Sequence, residues 1–267
     1  MKTKLITLFL LLSSSIVMAQ PVHICDDAAE WPPYIYYERV NGELDKSKII
    51  GATVDLIKAI FKEINMEYTL DLLPWKRCLK EVARFDTSKE YEVFVDGSYN
   101  DERYNKYYLS APLYKTHNGV FYSKKRFPQG FPITQASDLN KYDLCGVHGY
   151  NFEPFISVGV TARIDTGSPN NLGNLDKLKR QRCDFFLSAI EPVYGSHAIG
   201  QYIIPDDIVS SPVSGTKKFT FYLFVAKTSP RAFELYTKIN QAIIKIQEKG
   251  EADAIFKKYL PTGTGLR

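Results

Sequence analysis

Long apolar runs are missing from this sequence. The one stretch that approaches such a run, Leu5 to Leu12, falls well short of the roughly 20 residues that a membrane-spanning helix needs, and nothing comparable follows it. Charge of one sign is also lacking. Thirty-four Lys and Arg stand against 30 Asp and Glu, a formal +4 that is too small to point to nucleic acid or an anionic membrane surface. Histidine is sparse: the four residues, His23, His117, His148 and His197, are scattered, and no histidine or cysteine pair stands at metal-ligand spacing. The chain has no phosphate-binding Gly-rich loop, no serine nucleophile elbow and no Cys-His pair in a recognisable motif. These gaps argue against a metal, a nucleotide or any other cofactor, and against the common hydrolytic enzymes.

What is present begins with a leader. Met1-Lys2-Thr3-Lys4, the apolar Leu5 to Leu12, a serine step and Val17-Met18-Ala19 have the layout of a secretory signal peptide over residues 1–19. Cleavage near Gln20 removes Lys2 and Lys4 and no acid, so the charge falls by two to +2. The expected location is the periplasm, with no lipid-attachment cysteine at the cut. An oxidising compartment gives the four cysteines, Cys25, Cys78, Cys145 and Cys183, a role as two disulfides. Three pairings are open on sequence alone. If each half of the chain folds as its own lobe, Cys25 pairs with Cys78 and Cys145 with Cys183; buried free thiols are the alternative.

Periodicity predicts a βαβαβ order in the first half. Val22 to Cys25, Tyr68 to Leu73 and Tyr91 to Val95 read as strands, with a hairpin at Asn41-Gly42. Between them lies a helix capped by Thr53, with Val54, Ile57, Ile60, Phe61 and Ile64 on one face, and a second helix opens at Pro74-Trp75-Lys76-Arg77. The pattern restarts with strands Gly119 to Tyr122, Asp143 to Val147 and Cys183 to Leu187, and a helix carrying Leu172, Leu175 and Leu178. A last strand, Lys218 to Val225, leads into a helix from Ser229-Pro230 with Phe233, Tyr236, Ile239, Ile243 and Ile246 inward, then Gly250 and a segment ending at Pro261. This is an α/β chain with parallel sheets flanked by helices.

The densest chemistry is Val93-Phe94-Val95-Asp96-Gly97-Ser98-Tyr99-Asn100-Asp101-Glu102-Arg103. An apolar strand ends at Asp96, Gly97 permits a tight turn, Ser98 offers a hydroxyl, and Asn100 caps a helix that places Arg103 in its first turn. A carboxylate fits such a clamp. The plainer alternative is an ordinary junction with a surface arginine.

That string, together with Ser110-Ala111-Pro112-Leu113-Tyr114 and the ending Glu248-Lys249-Gly250-Glu251-Ala252-Asp253-Ala254-Ile255-Phe256-Lys257-Lys258-Tyr259-Leu260, resembles the type II periplasmic solute-binding proteins, above all the polar amino-acid binders of ABC importers. The resemblance implies two α/β lobes, residues 22–115 plus 219–267 and residues 116–218, joined near Tyr114 to Asn118 and Thr216 to Thr220. It implies a monomer that holds a small-molecule ligand between the lobes and meets an inner-membrane ABC permease, and no enzyme activity. Carried over by position, Arg103 grips the ligand carboxylate, Ser98 adds a hydroxyl, and the Asp96 region faces the amino group. Trp31 and Tyr34 wall the ligand side chain, against plain core packing as the alternative, and Gly149-Tyr150-Asn151 complete the carboxylate cradle. One departure is evident: Ala189 stands where such binders carry an acid, so either Glu191 takes that part or the ligand lacks an α-ammonium. Trp75 and Arg77 are further candidates to line the cleft, with packing and solvation as the alternative. A cleft enzyme of the same fold, a cyclohexadienyl dehydratase-like lyase with Glu191 or Asp96 as acid-base group, and a membrane-sensor partner are the competing functions.

Overall fold

The computed structural model describes residues 20–259. The leader and the stop at Pro261 lie outside those residues. The chain runs through β1 (Val22–Asp27), a hairpin of β2 (Tyr36–Val40) and β3 (Glu43–Ile50), α1 (Ala52–Glu63), β4 (Tyr68–Leu73), α2 (Trp75–Ala83), α3 (Phe85–Ser88) and β5 (Val93–Ser98). α4 (Asp101–Lys106), β6 (Tyr107–Leu109) and β7 (Tyr114–Thr116) follow. A second group holds β8 (Asn118–Ser123), β9 (Leu144–Val147), α5 (Glu153–Ile156), β10 (Ile164–Ser168), α6 (Asn171–Lys179), β11 (Phe185–Ala189), α7 (Ile190–Ala198) and β12 (Ile208–Pro212). β13 (Phe219–Ala226), α8 (Ala232–Glu248) and α9 (Glu251–Tyr259) close the chain.

Two sheets organise these elements into two lobes. The first has the order β4-β1-β5-β13-β6, with β7 also on β13, and the second β10-β9-β11-β8-β12. In each, three strands are parallel and the rest are added antiparallel on one side. Three parallel strands force helical crossovers, and those helices cover the sheet faces with their apolar sides. α8 does so with Leu235, Ile239, Ala242, Ile243 and Ile246. Strands β10 and β12 are not apparent in the sequence. Both are edge strands with half-exposed residues, so neither carries the unbroken apolar run that marks a central strand.

Three local expectations are corrected. Phe233 is 67% exposed and Leu172 47%, so neither joins the inward stripe of its helix. Thr53 does not cap α1. Gly51 occupies that position at φ 130°, where a side chain would strike the Tyr34 carbonyl, and the Thr53 hydroxyl is free to donate to Asp96. The disulfides join Cys25 to Cys78 and Cys145 to Cys183, each tying a parallel strand to its neighbouring connection. Among the described residues no helix is long and apolar enough to cross a membrane.

Candidate functional site

In open α/β sheets the carboxyl ends of parallel strands are where the chain leaves backbone groups and side chains free for ligands. Here β1, β5 and β11 end at one cavity between the lobes. It offers about 50 Å³ to the centre of a water-sized sphere, against the roughly 10–15 Å³ that one water needs. That is room for a small guest.

The end of β5 is shaped by its sequence. A Cβ on Gly97 would lie 2.6 Å from the rings of Phe94 and Phe224, so only glycine lets the strand pass them. Asp96 takes φ 52°, the left-handed region that Asp and Asn tolerate better than most residues. Its Oδ1 accepts from Thr53 Oγ1 at 2.9 Å, and its Oδ2 has no partner. Asn100 caps α4 by accepting the Arg103 N–H at 2.8 Å, and Arg103 Nη1 donates back to the Ser98 carbonyl at 2.7 Å. The guanidinium carbon lies 5.4 Å from the Trp75 ring. Arg103 is 6% exposed, and burial brings its pKa down to about 10, so it is charged at neutral pH. No carboxylate forms an ion pair with it among the described residues; Glu102 beside it pairs with Lys106. α4 has only six residues, so a helix dipole adds little and the guanidinium itself supplies the positive charge. Replacing Asn100 by Ala is expected to cost about 1 kcal/mol of stability by urea denaturation and to loosen the placement of Arg103.

β1 delivers two more carboxyls. Asp26 Oδ1 accepts from the Asp27 N–H at 2.7 Å, while Oδ2 has no partner. Asp27 accepts from the Ala29 N–H at 2.9 Å and from the Tyr150 hydroxyl at 3.1 Å. Burial is the main reason that all three acids titrate high. Asp27 is raised to about 6, Asp96 to about 7, and Asp26 well above its ordinary value, with the Asp96 charge adding to the effect.

The second lobe contributes Tyr150, Asn151 and Phe152 between β9 and α5, Phe155 of α5, and Leu187, Ser188 and Ala189 at the end of β11. Phe219 and Phe221 of β13, with Trp31, complete the wall. The lobes touch directly. Trp75 Nε1 donates to the Gly149 carbonyl at 3.1 Å, Asn151 Nδ2 to Ser98 Oγ at 3.0 Å and the Tyr99 carbonyl at 2.7 Å, and Gln201 Nε2 to the Ala29 carbonyl at 3.0 Å. This is a closed cleft.

Seven of the positions singled out in the sequence, Asp96, Ser98, Arg103, Trp31, Trp75, Tyr150 and Asn151, therefore meet around one cavity. Three do not. Tyr34 stacks on Tyr114 at 3.9 Å, away from the cavity wall. Arg77 is exposed, because Trp75 and Cys78 take the inward phase of α2 and leave its direction to solvent. Glu191 accepts from the His117 N–H at 3.0 Å and lies 2.7 Å from His117 Nδ1, at the link between the two sheets. Asp26, Asp27, Ser188 and the four phenylalanines were not singled out. Asp26-Asp27 repeats the pattern of Asp96, acids at the buried end of a central strand, and that repetition is the signal in the sequence.

The sequence profile of the bacterial extracellular solute-binding proteins, family 3, matches residues 24–262. No curated protein sequence matches the chain. Among solved structures, the arginine-, lysine-, histidine-binding protein ArtJ from Geobacillus stearothermophilus superposes with a TM-score of 0.69 at 19% identity, covering 91% of this chain and 97% of that one. A histidine kinase sensor domain with similarity to periplasmic binding proteins gives 0.70 at 17%, covering 91% and 97%. An ancestral amino acid-binding protein, described as a precursor of cyclohexadienyl dehydratase, gives 0.67 at 18%, covering 90% and 95%. At these identities the structural likenesses establish the two-lobed fold alone, whereas the profile spans nearly the whole described chain: this protein belongs to the bacterial extracellular solute-binding proteins, family 3.

Proposed function

We propose that the protein is an exported, monomeric receptor that captures a small carboxylated solute, an amino acid or a derivative, between lobes 22–115 plus 219–259 and 116–218. The observation that carries this is Arg103: a buried guanidinium facing the interlobe cavity with no anion of its own. Burying a charge is costly unless it is paired, so the site favours a guest that brings the missing carboxylate. Ser98 and Asn151, already bonded across the cleft, stand beside it. Capture then biases the lobes toward closure, because contacts made by both lobes exist only when they meet. A membrane permease of an ABC importer reads that closure. A sensor kinase is the other possible reader, since a sensor domain shares the fold.

The test is a thermal-shift screen of the purified protein against carboxylated small molecules, followed by calorimetry on each hit. Saturable one-to-one binding with a rise in melting temperature supports the receptor. If carboxylates leave the melting temperature unmoved while an uncharged solute raises it, the proposal is lost.

A lyase is the second reading, favoured by one feature. Asp27 and Asp96, held at about 6 and about 7, have the range suited to a general acid near neutral pH. Incubation with prephenate or arogenate, followed in the ultraviolet, separates the two: turnover supports the lyase, and stoichiometric binding without turnover supports the receptor.

A further inference from the structure

No residue of α7 lines the cavity, but the helix starts directly after Ala189, the last cavity residue of β11, and one of its faces meets the first lobe. Its start is fastened to the link between the sheets. Glu191 accepts from the His117 N–H and touches the His117 ring, and the Ile190 N–H donates to the His117 carbonyl at 2.9 Å. His117 stands alone between Thr116, paired with Phe219 in the first sheet, and Asn118, paired with Ala189 in the second. Both peptide planes beside this link residue are therefore held by α7.

Gly195 lies one turn after Glu191, on the same face and about 6 Å further along the axis. A Cβ at Gly195 would lie 2.2 Å from the Pro32 carbonyl oxygen, and its next neighbours, the Pro32 carbonyl carbon at 2.6 Å and the Pro33 nitrogen at 3.0 Å, are first-lobe backbone too. Past the helix, Gln201 adds its hydrogen bond to the Ala29 carbonyl. The loop that α7 meets is tied down. Trp31 and Ile35 exchange main-chain hydrogen bonds of 2.7 and 3.1 Å, and the carbonyls of Pro33 and Tyr34 accept from the Ala52 and Thr53 N–H groups at the start of α1, at 3.0 and 2.8 Å. That loop also carries Trp31 into the cavity wall.

Taking the receptor reading as given, we propose that Gly195 is a positioning residue for capture: its lack of a side chain lets α7 seat on the Pro32 carbonyl, and this seat, outside the cavity, sets how far the lobes close on a guest. A methyl carbon needs about 3.3 Å from a carbonyl oxygen, so Gly195→Ala must part the lobes by about 1 Å at this point. Neither side can yield, because the loop is anchored to α1 and the helix to the link. A gap near the link widens with distance from it. The hydrogen bonds of Trp75 to Gly149 and of Asn151 to Ser98 and Tyr99 are then stretched, and the closed form loses population to open forms that hold the guest from one lobe. The second lobe itself is not weakened. Gly195 has no positive φ, and alanine favours a helix over glycine.

The experiment screens the full mature chain by thermal shift against the proteinogenic amino acids and their 2-oxo acids and takes forward the probe with the largest rise. Its Kd and release rate are measured for wild type, Gly195→Ala, Gly195→Leu and Gln201→Ala, by calorimetry and by stopped-flow fluorescence of Trp31 and Trp75, the two tryptophans, both in the cavity wall. Gly195→Ala should raise Kd by about tenfold or more, mainly through faster release, and Gly195→Leu should raise it further. Gln201→Ala adds no bulk and should raise it by about threefold. The melting temperature of the ligand-free Gly195→Ala protein should not fall, and its radius of gyration with saturating probe should exceed that of wild type. An unchanged Kd in Gly195→Ala, or a weaker one accompanied by a lower melting temperature of the ligand-free protein, would overturn the seat and leave the receptor standing. A wild type that binds none of the probes would overturn the receptor reading and the seat with it.

Discussion

Replacing Arg103 by alanine is expected to weaken capture of a carboxylated guest by about 2–5 kcal/mol, or about 30- to 5,000-fold in Kd. The size follows from where the group sits. Arg103 is 6% exposed, so water screens its charge poorly and a carboxylate beside it would lose most of its own hydration. One guanidinium nitrogen is anchored on the Ser98 carbonyl, which fixes the plane and leaves the remaining N–H groups for the guest. Lysine keeps the charge and loses the fork, so Arg103→Lys should fall between wild type and alanine. Stability should move the other way. The empty protein carries a buried charge with no counter-ion, and removing it should leave the melting temperature unchanged or raise it. Weaker binding with undiminished stability is the combination that a merely structural arginine would not give. Calorimetric titration of a screened ligand, with melts of the empty proteins alongside, reads both; an unchanged Kd in Arg103→Ala would remove this residue from the site.

How much of this is legible in the sequence depends on whether a feature is local. The run from Val93 to Arg103 carries its own instructions: an apolar strand, a glycine beside the Phe94 ring, a cap, and an arginine one turn later. All of it folds within eleven residues, and the cap on the Arg103 N–H is present as expected. The disulfide partners follow once each half is taken as a unit, because each bridge stays within one lobe: Cys25 of β1 joins Cys78 of α2, and Cys145 of β9 joins Cys183 just before β11. Features set across the chain are harder. Whether Trp31 or Tyr34 faces the cavity depends on Tyr114, 80 residues on, whose ring receives Tyr34. Glu191 is drawn to His117 at the link between sheets, a partner that no spacing reveals. The edge strands β10 and β12 gain their identity from one neighbour each, β9 and β8, and their own residues are half polar. Asp26 is the instructive omission. An acid at the end of a buried strand is expensive unless something offsets it, and that rule picks out Asp26 as readily as Asp96.

The same three acids give the empty protein an unusual response to pH. Asp26, Asp27 and Asp96 are raised above their unfolded values mainly by burial. A carboxyl with a raised folded pKa favours the folded state most below its unfolded pKa, and that advantage is lost as pH rises through the folded value. For Asp96, moved from 3.8 to about 7, the loss between about pH 5 and pH 8 is on the order of 2–3 kcal/mol. The ligand-free protein should therefore be more stable near pH 5 than at pH 8. Acids with lowered values, such as Asp55, Asp165 and Asp207, do not compete in this window, because their contribution is lost only as pH falls into the ordinary carboxylate range and below. Asp96→Asn keeps the Thr53 contact and the backbone conformation and removes the titrating group, so it should raise stability at pH 8 and flatten much of the slope between the two pH values. Urea denaturation of both proteins at each pH measures the difference. A wild type that gains stability from pH 5 to pH 8 would mean that these acids are not buried as carboxyls awaiting a partner.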